Sequence, residues 1–263
     1  MLTSEDIKYL VQKGITEKQV YSQLNYFKQG FPYPEIVSSA TTEKGILTVN
    51  ESEKDYYLQQ WDDYLNENHK IVKFVPASGA ASRMFKDLFE FLDSENETPE
   101  TTFLQTFFAH IEVFAFYDDL NAACLKNEGK DIPNLIASKN YKSIIRNLLN
   151  TEGLNYGYLP KGLLKFYVYP DGNRTAMEEH LAEGALYARN KNKQANIHYT
   201  VSPEHQMLFE QLTREKQPEY EQLFDTKFIV SFSEQKSSTD TIAANTENEP
   251  FRDRKSTRLN SSH

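Results

Sequence analysis

The fold is indicated by residues 70–92, which read KIVKFVPASGAASRMFKDLFEFL. Residues 70–76 are a short run of β-branched and aromatic side chains, and such a run predicts a strand. Small residues follow, after which SRMFKDLFEFL places its apolar residues at helical spacing. We therefore expect a strand, a tight turn and an amphipathic helix.

The same alternation of strand and helix recurs later in the chain. Strands are predicted for residues 165–169, 195–201 and 227–232, and helices for 174–190 and 203–215. Two parallel neighbours cannot be joined by a tight hairpin, so alternating strands and helices favour parallel pairing with crossovers. The sequence predicts an α/β protein.

Helical patterns also precede the first strand and separate it from the later ones. We expect an N-terminal helical segment, residues 1–69, packed on the core of an α/β domain that spans residues 70–252. Within that domain, residues of about 95–152 predict an all-helical insertion, rich in phenylalanine.

Residues 253–263, DRKSTRLNSSH, form an abruptly basic and polar run. The run resembles the translation of a common sequencing adapter, so we interpret it as a non-native tail and expect the natural protein to continue beyond about residue 252. The alternative is a genuine, disordered tail.

Composition limits the classes of function. The chain has 263 residues with 38 acidic and 29 basic side chains, and its net charge of -9 provides no overall attraction for nucleic acid. Charged residues near the N-terminus exclude a signal peptide, and no run of 18 apolar residues is present, so we expect a cytoplasmic protein without a membrane partner. Cys124, the single cysteine, is expected to be a buried structural thiol.

The turn after the first strand is a candidate phosphate-binding loop. A strand that leads through small residues into a helix exposes backbone N–H groups to which an anion can come close. Arg83 lies in the first turn of the following helix, where its guanidinium can bind phosphate oxygens in bidentate fashion. The alternative is a turn kept small for packing alone. The candidate loop residues are Ala77, Ser78, Gly79, Ala80, Ala81 and Ser82.

Two familiar nucleotide motifs are absent from this loop. A Walker loop needs Gly-Lys followed by Ser or Thr, and the dinucleotide fingerprint needs three glycines, whereas the loop has only Gly79.

A second candidate for phosphate binding is Lys161, in a Pro-Lys-Gly turn before the strand predicted at 165–169. Ligands collect at the carboxyl ends of strands in parallel sheets, so this lysine can reach a phosphate there. The alternative is a solvated loop lysine.

Histidines and acidic residues give no metal motif. His69, His110, His180, His198 and His205 show no ligand spacing with Cys, Asp or a second His. Each is therefore interpreted as a structural or solvated side chain.

The two segments together resemble the sugar nucleotidyltransferases, most closely the uridine-diphosphate-sugar pyrophosphorylase branch. The segments that carry the resemblance are SGAASR at 78–83, PKGLL at 160–164 and FIVSFSEQKSSTDTIA at 228–243. From its start to about residue 252, the chain also resembles a bacterial family catalogued as a domain of unknown function.

The resemblance implies a Rossmann-like nucleotidyltransferase sheet of the GT-A type with a helical insertion. It implies that the amides of residues 78–82 wrap the triphosphate of a nucleoside triphosphate, and that Arg83 and Lys161 stabilise charge in the transition state. The phosphate of a sugar 1-phosphate attacks the α-phosphorus and expels pyrophosphate, with Mg²⁺ bridging phosphate oxygens. By analogy Gln235 contacts the base or the substrate; a surface glutamine is the alternative.

The chain also departs from that pattern. The family's loop has more glycine than SGAAS, and the aspartate that holds the metal is expected beyond residue 252, so we expect residues 1–252 alone to be inactive. One alternative function is a non-catalytic module that binds a nucleotide or nucleotide sugar. Another is a protein-interaction surface formed by the aromatic helices.

Overall fold

The computed structural model describes residues 2–67, 69–236 and 240–251, together with the backbone of 261–262. The remainder of the run at 253–263, interpreted above as a non-native tail, lies outside the described residues. The chain divides into two compact units, one made of Met1–Tyr64 with Gln235–His263 and one made of Leu65–Glu234.

The helices, in chain order, are α1 (Ser4–Gln12), α2 (Glu17–Gln29), α3 (Glu51–Asn66), α4 (Lys86–Asp93), α5 (Thr102–Ala109), α6 (Tyr117–Glu128), α7 (Ile132–Ala137), α8 (Tyr141–Leu149), α9 (Ala176–Tyr187) and α10 (Gln206–Phe224). The strands are β1 (Val72–Pro76), β2 (Lys165–Tyr167), β3 (Arg174–Thr175), β4 (Gln194–Val201), β5 (Lys227–Glu234), β6 (Thr241–Ile242) and β7 (Ser261–Ser262).

The first unit is built on α1 and α2. Each helix begins with a capping box, in which the side chain of Thr3 or Thr16 accepts a hydrogen bond from the third residue of the helix. Leu10, Val20 and Leu24 pack with Ile242 of β6 in a small apolar core.

The second unit contains the parallel sheet. Its strand order is β1-β4-β5, and both pairings are parallel, with Phe74 opposite His198 and His198 opposite Ser231. One face of the sheet packs on α9 and α10 through Val75, Ile197 and Tyr199, all of them buried. The prediction of an α/β fold with a parallel sheet is confirmed.

One predicted strand lies elsewhere. The segment predicted at 165–169 forms β2, which pairs antiparallel with β3 in a separate two-stranded hairpin. The expectation that Lys161 precedes a strand of the main sheet is therefore wrong. The turn at 170–173 is short enough to return the chain beside itself, and a hairpin needs no crossover.

A helical layer separates β1 from this hairpin. Helices α4 to α8 enclose a core rich in phenylalanine and branched residues, including Phe85, Leu88, Phe107, Ile144 and Leu148. Within the insertion predicted at about 95–152, the phenylalanine-rich stretch forms α5, a 3₁₀ turn at Ile111–Val113 and α6.

Candidate functional site

The loop after β1 begins at the carboxyl end of the sheet. The backbone N–H of Ala77 donates to the carbonyl oxygen of Thr200 at 2.7 Å, which extends the pairing with β4 by one residue. Ala77 and Ala81 are buried, whereas Gly79, Ala80 and Ser82 are exposed. The loop is thus anchored at both ends by small buried side chains while its middle faces solvent.

The loop passes directly into a 3₁₀ turn, Ser82–Phe85, and then into α4. Ala81 precedes the 3₁₀ turn and provides no side-chain cap, so the first amides of the turn lack the usual intrahelical partner. Within the described residues, the backbone N–H groups of Gly79 and Ala80 also donate to no acceptor. The exposed middle of the loop therefore offers donors to an anion.

The loop is hydrogen-bonded to the Pro-Lys-Gly turn. The N–H of Lys161 donates to the carbonyl of Gly79 at 3.0 Å, and the N–H of Ala81 donates to the carbonyl of Leu159 at 3.3 Å. These two bonds make an isolated antiparallel bridge between Ala80 and Pro160. The structure thus brings together the two segments that the sequence singles out.

Each segment contributes one exposed cation. Arg83 lies in the 3₁₀ turn after the loop, and Lys161 begins a second 3₁₀ turn, Lys161–Leu163. In the part of the chain that the structure describes, neither side chain forms an ion pair. Both charges remain available for an anion.

A third segment, at the end of β4, supports the turn. Both ring nitrogens of His205 form hydrogen bonds. Nδ1 lies 2.7 Å from Ser202 Oγ, and Nε2 lies 3.1 Å from the carbonyl oxygen of Tyr158. Sequence reasoning missed this residue, because it treats each histidine by itself. The signal available was its position three residues after Ser202, directly beyond a strand whose carboxyl end faces the loop.

The first residues of α10 pack on the same turn. A methyl group placed on Gly162 would lie 2.8 Å from Cζ of Phe209, a fully buried ring. Gly162 is therefore required for the close approach of the turn to α10.

Gln235 is placed differently from the other candidate residues. It directly follows Glu234, the last residue of β5, and is assigned to the first unit, whereas the loop and the Pro-Lys-Gly turn belong to the second. Its proposed contact with the base or the substrate stays a prediction.

The described residues contain no group of three His, Cys, Asp or Glu side chains placed to hold a metal ion. The side chains of the loop and turn are cationic, hydroxyl or apolar, and Mg²⁺ prefers carboxylate and other oxygen ligands. This segment of the chain therefore does not fit a protein-held Mg²⁺.

Cys124 is fully buried, as predicted. Burial in the helical layer, with a smaller effect from the charge of Glu128, raises the pKa of the thiol to about 11. A thiol held protonated in this way is a packing residue and no nucleophile.

The fold and site define a mixed α/β protein in which a small-residue loop and a lysine turn meet at the carboxyl end of a parallel sheet. The chain belongs to the family Domain of unknown function (DUF4301), which it matches over residues 3–259. Comparisons with curated proteins and with solved structures gave no match. None of the helices in the described ranges is both long and apolar enough to cross a membrane.

Proposed function

We propose that this protein binds the triphosphate of a nucleoside triphosphate between loop 77–82 and the Lys161 turn, and transfers the nucleotidyl group to a sugar 1-phosphate with release of pyrophosphate. The observation that supports the proposal is the bridge between Ala80 and Pro160. It joins the loop that carries the unbonded amides to the turn of Lys161, and each of the two segments leads to or contains an exposed cation, Arg83 or Lys161.

The chemistry of this reaction suits such a site. An oxygen of the sugar phosphate forms a bond to the α-phosphorus, the bond from that phosphorus to the bridging oxygen breaks, and pyrophosphate leaves with the electron pair. No nucleophilic side chain is needed, because catalysis relies on positioning and on stabilising negative charge. Loop amides orient the phosphates, while Arg83 and Lys161 stabilise the charge that develops on them.

Mg²⁺ belongs to the proposal only through the resemblance. The described residues do not fit a protein-held ion, so no step here is assigned to the metal. The same observation favours a second candidate function, a module that binds a nucleotide or nucleotide sugar without turnover.

Because residues 1–252 alone are expected to be inactive, the turnover test uses the natural protein with its own C-terminal sequence. ATP, GTP, CTP or UTP is each paired with a panel of sugar 1-phosphates in magnesium buffer, and released pyrophosphate is measured. Binding is followed separately by calorimetry and by the rise in melting temperature. Turnover supports the enzyme, saturable binding without product supports the binding module, and the lack of both overturns the site.

Variants locate the activity within the molecule. Arg83→Ala and Lys161→Ala are each expected to lower turnover or affinity about tenfold or more while leaving the melting temperature unchanged, because both side chains are exposed. Arg214→Ala and Lys191→Ala are matched exposed controls in the same unit and should have no effect. Loss of folding in Arg83→Ala or Lys161→Ala, or equal losses in the controls, would contradict the assignment.

A further inference from the structure

The imidazole of His205 connects the end of β4 to the turn that carries Lys161. It lies between Ser202 Oγ, at 2.7 Å from Nδ1, and the carbonyl oxygen of Tyr158, at 3.1 Å from Nε2. Ser202 is only 3% exposed and directly follows β4, so the ring is fixed to the rigid sheet. Tyr158, by contrast, lies in the irregular segment that leads into the turn.

The partners determine the tautomer of the ring. A carbonyl oxygen can only accept, so Nε2 carries the proton and donates it to Tyr158. Nδ1 of the neutral ring then accepts the hydroxyl proton of Ser202. Ser202, next to the sheet, thus donates to His205, and His205 donates to the carbonyl oxygen of Tyr158, next to the turn.

The turn is held on both sides of Lys161. On one side His205 binds the carbonyl of Tyr158, and on the other Gly162 lies against the ring of Phe209. Both contacts come from one continuous element, the 3₁₀ turn Pro203–His205 and the start of α10. The backbone of Lys161 is bonded to Gly79 between these two contacts.

We infer that His205 is a positioning residue that fixes the Lys161 turn against loop 77–82, acting through the carbonyl of Tyr158. The inference rests on the proposed function, because what it positions is the cation of a phosphate site. Within the described residues, the ring of His205 forms hydrogen bonds with Ser202 and Tyr158 and with no residue of loop 77–82. Its effect on binding passes through the backbone from residue 158 to residue 161.

Two substitutions separate the two hydrogen bonds of the ring. The amide nitrogen of glutamine can reach the place of Nε2, so His205→Gln keeps a donor for Tyr158. The shorter side chain of asparagine reaches only the place of Nδ1, so His205→Asn keeps the contact with Ser202 and loses the one with Tyr158. The two variants differ by one methylene group, and only His205→Gln keeps the hydrogen bond to Tyr158 on which the inference depends.

The experiment measures the affinity of the full chain for inorganic triphosphate and, in parallel, hydrogen exchange at the amide of Lys161. His205→Asn is expected to weaken binding roughly fivefold and to speed exchange at Lys161, because one hydrogen bond is lost. His205→Gln should stay within about twofold of the unmodified chain in both measurements. His198→Asn and His198→Gln are the controls and should change neither, since the ring of His198 lies on the sheet, where it stacks on Phe74 and hydrogen-bonds Ser231 and Ser233.

The outcomes are distinguishable. Equal weakening by His205→Asn and His205→Gln would mean that the imidazole acts through packing, and unchanged exchange at Lys161 in His205→Asn would overturn the positioning role. If the unmodified chain binds no triphosphate, the proposed function fails, and exchange at Lys161 alone then decides whether His205 fixes the turn. Ser202→Ala, which keeps the imidazole, gives a milder second test and should produce a smaller change in the same direction.

Discussion

The backbone N–H of Lys161 donates to the carbonyl oxygen of Gly79 at 3.0 Å. This bond joins two segments that are separated in the chain by the whole helical layer of α4 to α8. Because it is made by backbone atoms, it fixes the turn next to the loop while both charged side chains near it stay exposed. Gly79 therefore has two functions. Its carbonyl oxygen accepts the hydrogen bond that holds the turn, and its exposed backbone N–H is proposed to bind phosphate.

Replacing Gly79 by alanine tests whether phosphate comes close to the exposed backbone of the loop. Among the described residues, no heavy atom beyond the two chain neighbours of Gly79 lies within 4 Å of the methyl group that would be added, and the backbone there is not left-handed. Stability should therefore change by less than about 0.5 kcal/mol. A methyl group on this surface would nevertheless keep a phosphate away from the loop amides. We expect affinity for inorganic triphosphate, measured by calorimetry, to fall about tenfold or more.

Gly162→Ala is the matched comparison in the neighbouring turn. Its added methyl group meets the buried ring of Phe209 at 2.8 Å, so we expect a loss of about 1–3 kcal/mol in the free energy of unfolding, measured with urea. A Gly79→Ala chain that binds triphosphate normally would exclude close approach of phosphate to the loop.

Much of this fold could be predicted from local pattern. Strand β1, the small-residue loop and the helix after it follow from alternation and spacing over residues 70–92. Strands β4 and β5 follow in the same way, and their parallel pairing follows from the helices between them. The hairpin of β2 and β3 does not, because a three-residue strand has too few residues to show whether it joins the main sheet.

The candidate site could be predicted only in part. Residues 78–83 and 160–164 were recognisable as two separate segments, and their contact is a backbone bond that no side-chain pattern encodes. His205 was missed for a related reason: its partners are a carbonyl oxygen and a hydroxyl group, and neither leaves a motif. For a histidine with such partners the sequence carries only a positional signal, here the spacing from Ser202 beyond the end of β4, and the distances are needed to identify the two hydrogen bonds.

Gly153 is a stricter packing requirement in the helical layer. A methyl group added there would lie 1.9 Å from the carbonyl oxygen of Asn147, and a backbone atom cannot move aside as a flexible side chain does. Gly153→Ala should therefore lower the free energy of unfolding by about 3 kcal/mol or more. Chemical denaturation measures the loss, and the Gly79→Ala chain serves as the tolerant control.

Cys124 should be unreactive until the protein unfolds. Burial raises the pKa of its thiol to about 11, so almost none of it is thiolate at pH 8, and the side chain is fully covered. Ellman's reagent should label the folded chain very slowly and label one thiol at once in guanidinium chloride. Rapid labelling of the folded chain would show that the helical layer opens readily.

The lowered pKa of Glu183 makes the free energy of unfolding depend on pH in the acid range. Burial alone would raise the pKa of Glu183, but hydrogen bonds from Lys73, Tyr187 and His180 and the charge of Lys73 together lower it from 4.5 to about 2. A lowered pKa in the folded state stabilises the fold above the ordinary value of 4.5, and this contribution is lost as the pH falls from 4.5 towards 2. Glu183→Gln should therefore flatten the curve of unfolding free energy against pH in this window, as measured by urea denaturation at each pH. Glu90→Gln removes a carboxylate whose ion pair in the described residues is with exposed Lys86, and it should leave the curve as steep as before. A curve equally steep in Glu183→Gln would show that the half-exposed network around Glu183 contributes nothing to acid sensitivity.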